Sequence, residues 1–244
     1  MKEMALGRIF TGPVKGGRLE SPAAAAHAVK VLRLRNGDTF AGCDGKYEYG
    51  MKLLGAAGAG LEVEVLWRRE LPAPAAEVIL APALLKGPRW EALLEKAVEL
   101  GASAVLPVAA ERCVSRLKGE GAEKLERWKK IMEEASAQCA GRLPALEAPA
   151  ALREVAERVA EVPNKYILVP GGGAAPAARL LEKAAPGGTV VLVGPEGDWT
   201  REEIEEAEGA GFERMSLGPR ILRSETAAWA ALAVVAACRE KQEK

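Results

Sequence analysis

The stretch TVVLVGPEGDWTREEIEEAEGAGFERMSLGPRILRSETAA, residues 189–228, decides the fold. It opens on an unbroken apolar run, Thr189–Val193, the pattern of a strand buried on both faces. Gly194-Pro195-Glu196-Gly197-Asp198 follows, a bend where glycine frees the backbone and Pro195 sets its direction. Thr200-Arg201-Glu202-Glu203 reads as a capping box that opens a helix to Ala210. A second strand, Glu213–Leu217, turns at Gly218-Pro219 and passes through Arg220-Ile221-Leu222-Arg223 into an Ala-rich helix, Ser224–Arg239. Two consecutive strand–turn–helix units set bare backbone and a few side chains at one sheet edge. Open α/β sheets bind their ligands at that carboxyl edge, so the two turns are expected to build one pocket.

Working upstream, the same alternation continues. Glu77–Ala81, Ala104–Val108 and Tyr166–Val169 read as strands. Arg89–Leu100 carries Trp90, Leu93, Leu94, Ala97 and Val98 on one helical stripe with Gly101 as its stop, and Ala122–Ala140 is a second long helix. Strands separated by helices predict a mostly parallel sheet. The first 70 residues differ. Asp44-Gly45 between two strand-like runs is a hairpin signal, and Leu61–Trp67 alternates with period two. Gly55–Gly60 leads into no helix and reads as a turn rather than a phosphate loop. A small barrel-like domain over residues 1–71 is expected, with Leu71-Pro72-Ala73-Pro74 as the link to an α/β domain over 72–244.

Composition excludes several classes. The longest apolar runs fall short of the ~20 residues that cross a bilayer, and MKEMALGRIF does not read as a secretion signal, so a cytoplasmic protein is expected. Four scattered cysteines and a single histidine, His27, support neither a zinc cluster nor a disulfide scaffold, and no metal is expected. There is no G-x-G-x-x-G, no G-x-x-x-x-G-K-[ST] and no G-x-S-x-G, so dinucleotide, P-loop and α/β-hydrolase chemistry lack their fingerprints. Net charge is zero, yet residues 1–70 hold 11 Lys/Arg against 8 Asp/Glu, a mild hint of a polyanionic partner. Only two Asn and two Gln occur, which fits a thermophile avoiding labile amides and fits equally a GC-rich genome.

The second turn is the denser in chemistry. Leu217, Ile221 and Leu222 can wall an apolar slot while Gly218 exposes backbone. Arg220 and Arg223, three apart, share a helical face and suit a phosphate or an electron-rich base edge. Ser224 can cap the closing helix, with Glu225 and Thr226 in its first turn. A basic group that includes Arg89 is interleaved with glutamates, as on a solvated helix face. Lys86, and Arg112 to Lys118 with Arg116 between them, lie in loops after strands, where they suit nucleic-acid backbone.

These residues resemble a known family. GPEGDWTREEIEEAEGAGF with LGPRILRSETAA is similar to the C-terminal signature of the RsmE-type methyltransferases of the SPOUT class, which act on N3 of a uridine in small-subunit ribosomal RNA. KGPRWEALLEKAVELGASAVLPVAAERCVSRLKG matches the middle segment, and His27–Leu34 with Asn36-Gly37-Asp38 the N-terminal one. The resemblance implies an RNA-binding PUA-like β-barrel, then a SPOUT domain whose closing segment forms a trefoil knot. It also implies a homodimer, S-adenosylmethionine as cofactor and 16S rRNA as partner, within the assembled small subunit. Carried onto this chain, the cofactor site is Val169, Pro170, Val193, Gly194, Pro195, Glu196, Gly197, Leu217, Gly218, Ile221, Leu222 and Thr226. RNA contacts fall to Arg33, Arg35, Lys86, Arg112, Arg116, Lys118 and Arg142. Arg220 or Arg223 is the cation that favours a deprotonated uridine, with Glu225 or Glu196 as proton acceptor.

Three positions depart from the family pattern. Asp198 stands where a second glycine is usual, Ser224 where threonine is, and the loop around Arg142 is one residue short. Two other readings stay open: a ribose 2′-O-methyltransferase of the same class, whose asparagine motifs are missing here, and a non-catalytic RNA-binding protein.

Overall fold

A computed structural model describes residues 8–74, 76–113, 121–171 and 173–242, with backbone alone for 239–242. Its contacts divide the chain into two units, Met1–Ala73 with Met132–Leu143, and Pro74–Ile131 with Pro144–Lys244. The stretch Met132–Leu143, which sequence patterning assigns to the α/β domain, is thus counted with the first unit.

The first unit holds β1 (Arg8–Phe10), β2 (Arg18–Leu19), α1 (Pro22–Ala26), β3 (Thr39–Cys43), β4 (Tyr47–Ala57) and β5 (Gly60–Glu70). The strands form one sheet in the order β1-β3-β4-β5-β2, an open row of five, with β3, β4 and β5 antiparallel and β1 parallel to β3. Ser21 caps α1 by accepting from Ala24 N at 3.2 Å, and a π-helical turn, His27–Val31, continues it. Both escape the patterning because five alanines and a histidine show no apolar period. The expected Gly55–Gly60 turn shrinks to residues 58 and 59, since β4 runs on to Ala57 through two shifts of register against β5. Gly60 is needed where β2 crosses: a Cβ there would meet Leu19 O at 2.1 Å. Phe40, Met51, Leu19 and Leu61 form the core between the sheet and α1.

The second unit begins with β6 (Val78–Pro82), α2 (Pro88–Glu99), β7 (Ala104–Val105), α3 (Gly121–Cys139, whose residues from Met132 onward count with the first unit), β8 (Ala145–Leu146), α4 (Leu152–Arg158) and β9 (Asn164–Leu168). It continues with β10 (Ala175–Pro176), α5 (Ala177–Glu182), β11 (Thr189–Val193), α6 (Arg201–Gly209), β12 (Glu213–Ser216) and α7 (Ser224–Gln242). All seven strands are parallel, in the order β10-β12-β9-β11-β6-β7-β8. β11 is buried at every residue, which is why it reads as an unbroken apolar run. Helix α2 sinks Trp90 against Trp128 of α3 with ring centroids 5.1 Å apart, and α7 packs on α2. The short pieces β8, β10, α4 and α5 are additions to the elements expected from the sequence. No helix among the described residues is long and apolar enough to cross a membrane.

Asn164 pins the bend that leads into β11. Its Nδ2 donates to Ala185 O and Gly188 O at 2.9 and 2.8 Å, and its Oδ1 accepts from Ala185 N at 2.8 Å. Asn164→Ala should therefore cost about 2–4 kcal/mol in denaturant unfolding, because it strands several buried polar groups at once; a loss under ~1 kcal/mol would contradict this role.

In the first unit, burial pushes the Cys43 thiol up to about 11 from an ordinary 9.0. Burial and then the 2.6 Å hydrogen bond that Tyr49 donates to Asp44 push that phenol up as well. Because the unfolded chain releases these protons first, stability is whole below the ordinary values and falls as pH rises through them. Replacing Cys43 by Ala should flatten the decline of stability between pH 9.0 and about 11, followed by thermal melts across that range; an unchanged slope would remove Cys43 as a contributor.

Candidate active site

Strands β12, β9, β11 and β6 lie side by side and parallel, so their carboxyl ends share one edge. A cavity of about 540 Å³ opens there. Val169 and Pro170 enter it from the end of β9, Val193 to Gly197 from the end of β11, and Leu217, Gly218, Ile221 and Leu222 from the segment after β12. The structure thus brings together every residue of the expected cofactor site except Thr226, which is half-buried in α7 outside the lining.

Each turn is held by local bonds. Asp198 N donates to Pro195 O at 3.0 Å, and Asp198 Oδ1 accepts from Trp199 N at 2.8 Å. Asp198 sits at φ +60, the left-handed conformation that favours glycine and that aspartate tolerates better than most residues. Aspartate here therefore suits the turn's conformation and adds a bond to it. Gly194 and Gly197 also have packing reasons: a Cβ would stand 3.1 Å from the Trp199 indole and from Arg112 Cβ respectively. Behind the loop, the capping box of α6 is complete. Thr200 and Glu203 exchange bonds, and Glu203 Oε1 also accepts from Glu111 N at 2.8 Å. In the second turn Gly218 N donates to Ser216 Oγ at 3.2 Å, at a glycine φ of +115.

The charged groups divide into two sets. Arg220 and Arg223 line the cavity and are exposed, as is Ile221 at 87%. Glu196 lines it too, with Arg89 Nη1 3.6 Å from its Oε1. Glu225 does not line it; it is 7% exposed, with Arg89 Nε 3.9 Å from its Oε1. Ser224 is the first residue of α7, and the carbonyl of Arg223 before it accepts from Ala227 N at 2.8 Å.

The expected RNA-contact residues fare differently. Arg33, Arg35 and Lys86 are exposed. Arg112 is exposed, but its Nη1 donates to Gly197 O at 3.1 Å and so braces the loop after β11. Arg142 donates to Leu71 O at 3.0 Å and to Glu70 Oε1 at 2.7 Å, bonds that tie the end of α3 to the end of β5. Arg116 and Lys118 lie outside the described residues. Sequence patterning missed Leu168, Met215, Ser216 and Ala227 in the lining, and left Arg89 in a mixed-charge group. The available signal for Arg89 was its place, one residue into the helix after the first parallel strand.

An RNA methyltransferase domain model matches residues 72–236. The chain is 37% identical over 217 residues to the ribosomal RNA small subunit methyltransferase E of Synechocystis sp., covering 86% of this chain and 70% of that one. It is 32% identical over 222 residues to the protein of the same name from Bacillus subtilis, covering 86% and 85%. Among solved structures, a methyltransferase of Legionella pneumophila with bound SAM superposes with a TM-score of 0.85 at 31% identity, covering 94% of this chain and 96% of that one. The ribosomal RNA small subunit methyltransferase E of Neisseria gonorrhoeae bound to S-adenosyl methionine gives 0.84 at 28% identity, covering 95% and 97%.

Asp198→Gly should leave stability within about 1 kcal/mol of the parent, since glycine adopts the same φ freely. Asp198→Val should cost about 2 kcal/mol, from the left-handed strain of a β-branched residue and the lost bond to Trp199 N. Thermal melts of both variants check this; equal losses would contradict it.

Proposed function

Because this chain belongs to the ribosomal RNA small subunit methyltransferase E family of RNA methyltransferases, we propose that it methylates N3 of a uridine in 16S rRNA, using S-adenosylmethionine. The observation that carries the proposal is the convergence of the two signature turns and the segment after β9 on one cavity of about 540 Å³, a size within the ordinary range for cofactor sites. Its donor set fits the cofactor. Leu168, Met215, Leu217 and Leu222 offer an apolar wall, the turns at Gly194 and Gly218 offer backbone polar groups, and charged side chains stand at the rim.

When bound, the cofactor supplies a methyl group on a positively charged sulfur. What this chain must do is hold a uridine ring in line with that methyl, near ~3–3.5 Å, and favour loss of the N3 proton. Arg220 and Arg223, exposed at the cavity, are placed to attract the RNA and to stabilise negative charge as it develops on the uracil. Glu196, inside the lining, is better suited to accept the proton than Glu225, which is buried and outside the lining. Of the residues expected to contact RNA, Arg33, Arg35 and Lys86 are exposed and available for backbone contact. We read the first unit's five-stranded sheet as the PUA-like domain. The closing segment we read as the trefoil knot of the SPOUT class, since β12 inserts between β9 and β10 and α7 returns to α2. A second copy of the chain covering Ile221 would complete a homodimer in the cytoplasm.

The test supplies labelled S-adenosylmethionine and unmethylated small subunits, digests the RNA and identifies the nucleoside. 3-Methyluridine is expected; a 2′-O-methyl nucleoside, or no label, overturns the proposal. Arg223→Ala should slow transfer roughly 10²-fold with cofactor affinity unchanged, as removal of one transition-state charge partner does elsewhere; a normal rate would strike Arg223 from the mechanism.

A further inference from the structure

Arg89 lines the cavity yet belongs to neither signature turn. Its two ion pairs, at 3.6 Å to Glu196 and 3.9 Å to Glu225, are longer than the 2.7–2.9 Å of charge-assisted hydrogen bonds. The guanidinium is therefore held by both charges without being saturated by either. The two carboxylates are not alike. Glu225 is 7% exposed, and its Oε2 is buried with no hydrogen-bond partner, so it depends on a nearby counter-charge. The Glu196 side chain is 27% exposed on a loop and can yield. Glu225 is thus the buried partner of Arg89 and Glu196 the more exposed one.

We propose that Arg89 binds the carboxylate at the amino-acid end of the sulfonium cofactor, with Glu225 as the positioning residue that holds it there. This rests on the methyltransferase reading. S-adenosylmethionine carries adenosine at one end and a zwitterionic α-amino acid at the other. The apolar wall and turn backbones suit adenosine, whereas a carboxylate wants a planar fork of N–H donors. Of the three cavity arginines, Arg89 alone stands on the first turn of a twelve-residue helix, next to Trp90, which is 1% exposed and packed on Trp128. Arg220 and Arg223 lie on the irregular segment between β12 and α7. A cation based on a fixed helix and facing a buried counter-charge loses less freedom on binding.

Calorimetry of the full chain with S-adenosylmethionine and with decarboxylated S-adenosylmethionine, which lacks only the carboxylate, tests this without reference to turnover. The wild type should bind the complete cofactor roughly tenfold or more tightly, the factor expected of a charge-assisted pair. Arg89→Ala should erase most of that ratio by weakening the complete cofactor alone, and Glu225→Gln should reduce it. Arg220→Ala should leave it intact. Equal weakening of both ligands in Arg89→Ala, or a ratio near one in the wild type, overturns the proposal while leaving the methyltransferase reading standing. Failure of the wild type to bind either ligand removes both.

Discussion

The parallel hydrogen bonding of β11 between β6 and β9 is the constraint on which everything else in the second unit depends. A strand paired on both edges and buried on both faces has no freedom of register or direction. With β12 paired on the far side of β9, all four strands must end at the same edge. The chain then has to turn there repeatedly, and the turns are where a backbone can approach a ligand. The cavity is thus a consequence of the sheet, and the signature glycines and prolines are the residues that allow turns so tight.

The turns are not soft. Asp198 is bonded at both sides, Glu203 spans from the capping box to Glu111, and Arg112 donates to the carbonyl of Gly197. The loop's own bonds, the start of α6 and the segment at Glu111-Arg112 therefore act together to hold it. Preorganisation of this kind is what lets a site favour one geometry of approach over others.

Much of this was legible in the chain. β11 announces itself as an apolar run because it is buried throughout, and α2 by its stripe of Trp90, Leu93, Leu94, Ala97 and Val98. The residues expected at the cofactor site came from the family resemblance, and all of them but Thr226 line the one cavity. Other features had no local signal. α1 is nearly all alanine, β10 and β8 are two residues each, and the role of Asn164 depends on a partner 21 residues away. Arg112 and Arg142 read as free cations because sequence spacing cannot reveal a carbonyl from another element; in the fold each donates to one. Arg89 was hidden among glutamates that, on an exposed helix, would have been its ordinary neighbours. Its carboxylate partners in the fold, Glu196 and Glu225, come from distant segments instead.

The central claim is that the turns after β9, β11 and β12 form one cofactor site. Hydrogen–deuterium exchange with and without S-adenosylhomocysteine tests it directly. The account predicts slowed exchange confined to three stretches, residues 168–170, 194–199 and 216–224, appearing together at one ligand concentration. Protection in only one of them, or protection centred on the first unit's sheet, would contradict it.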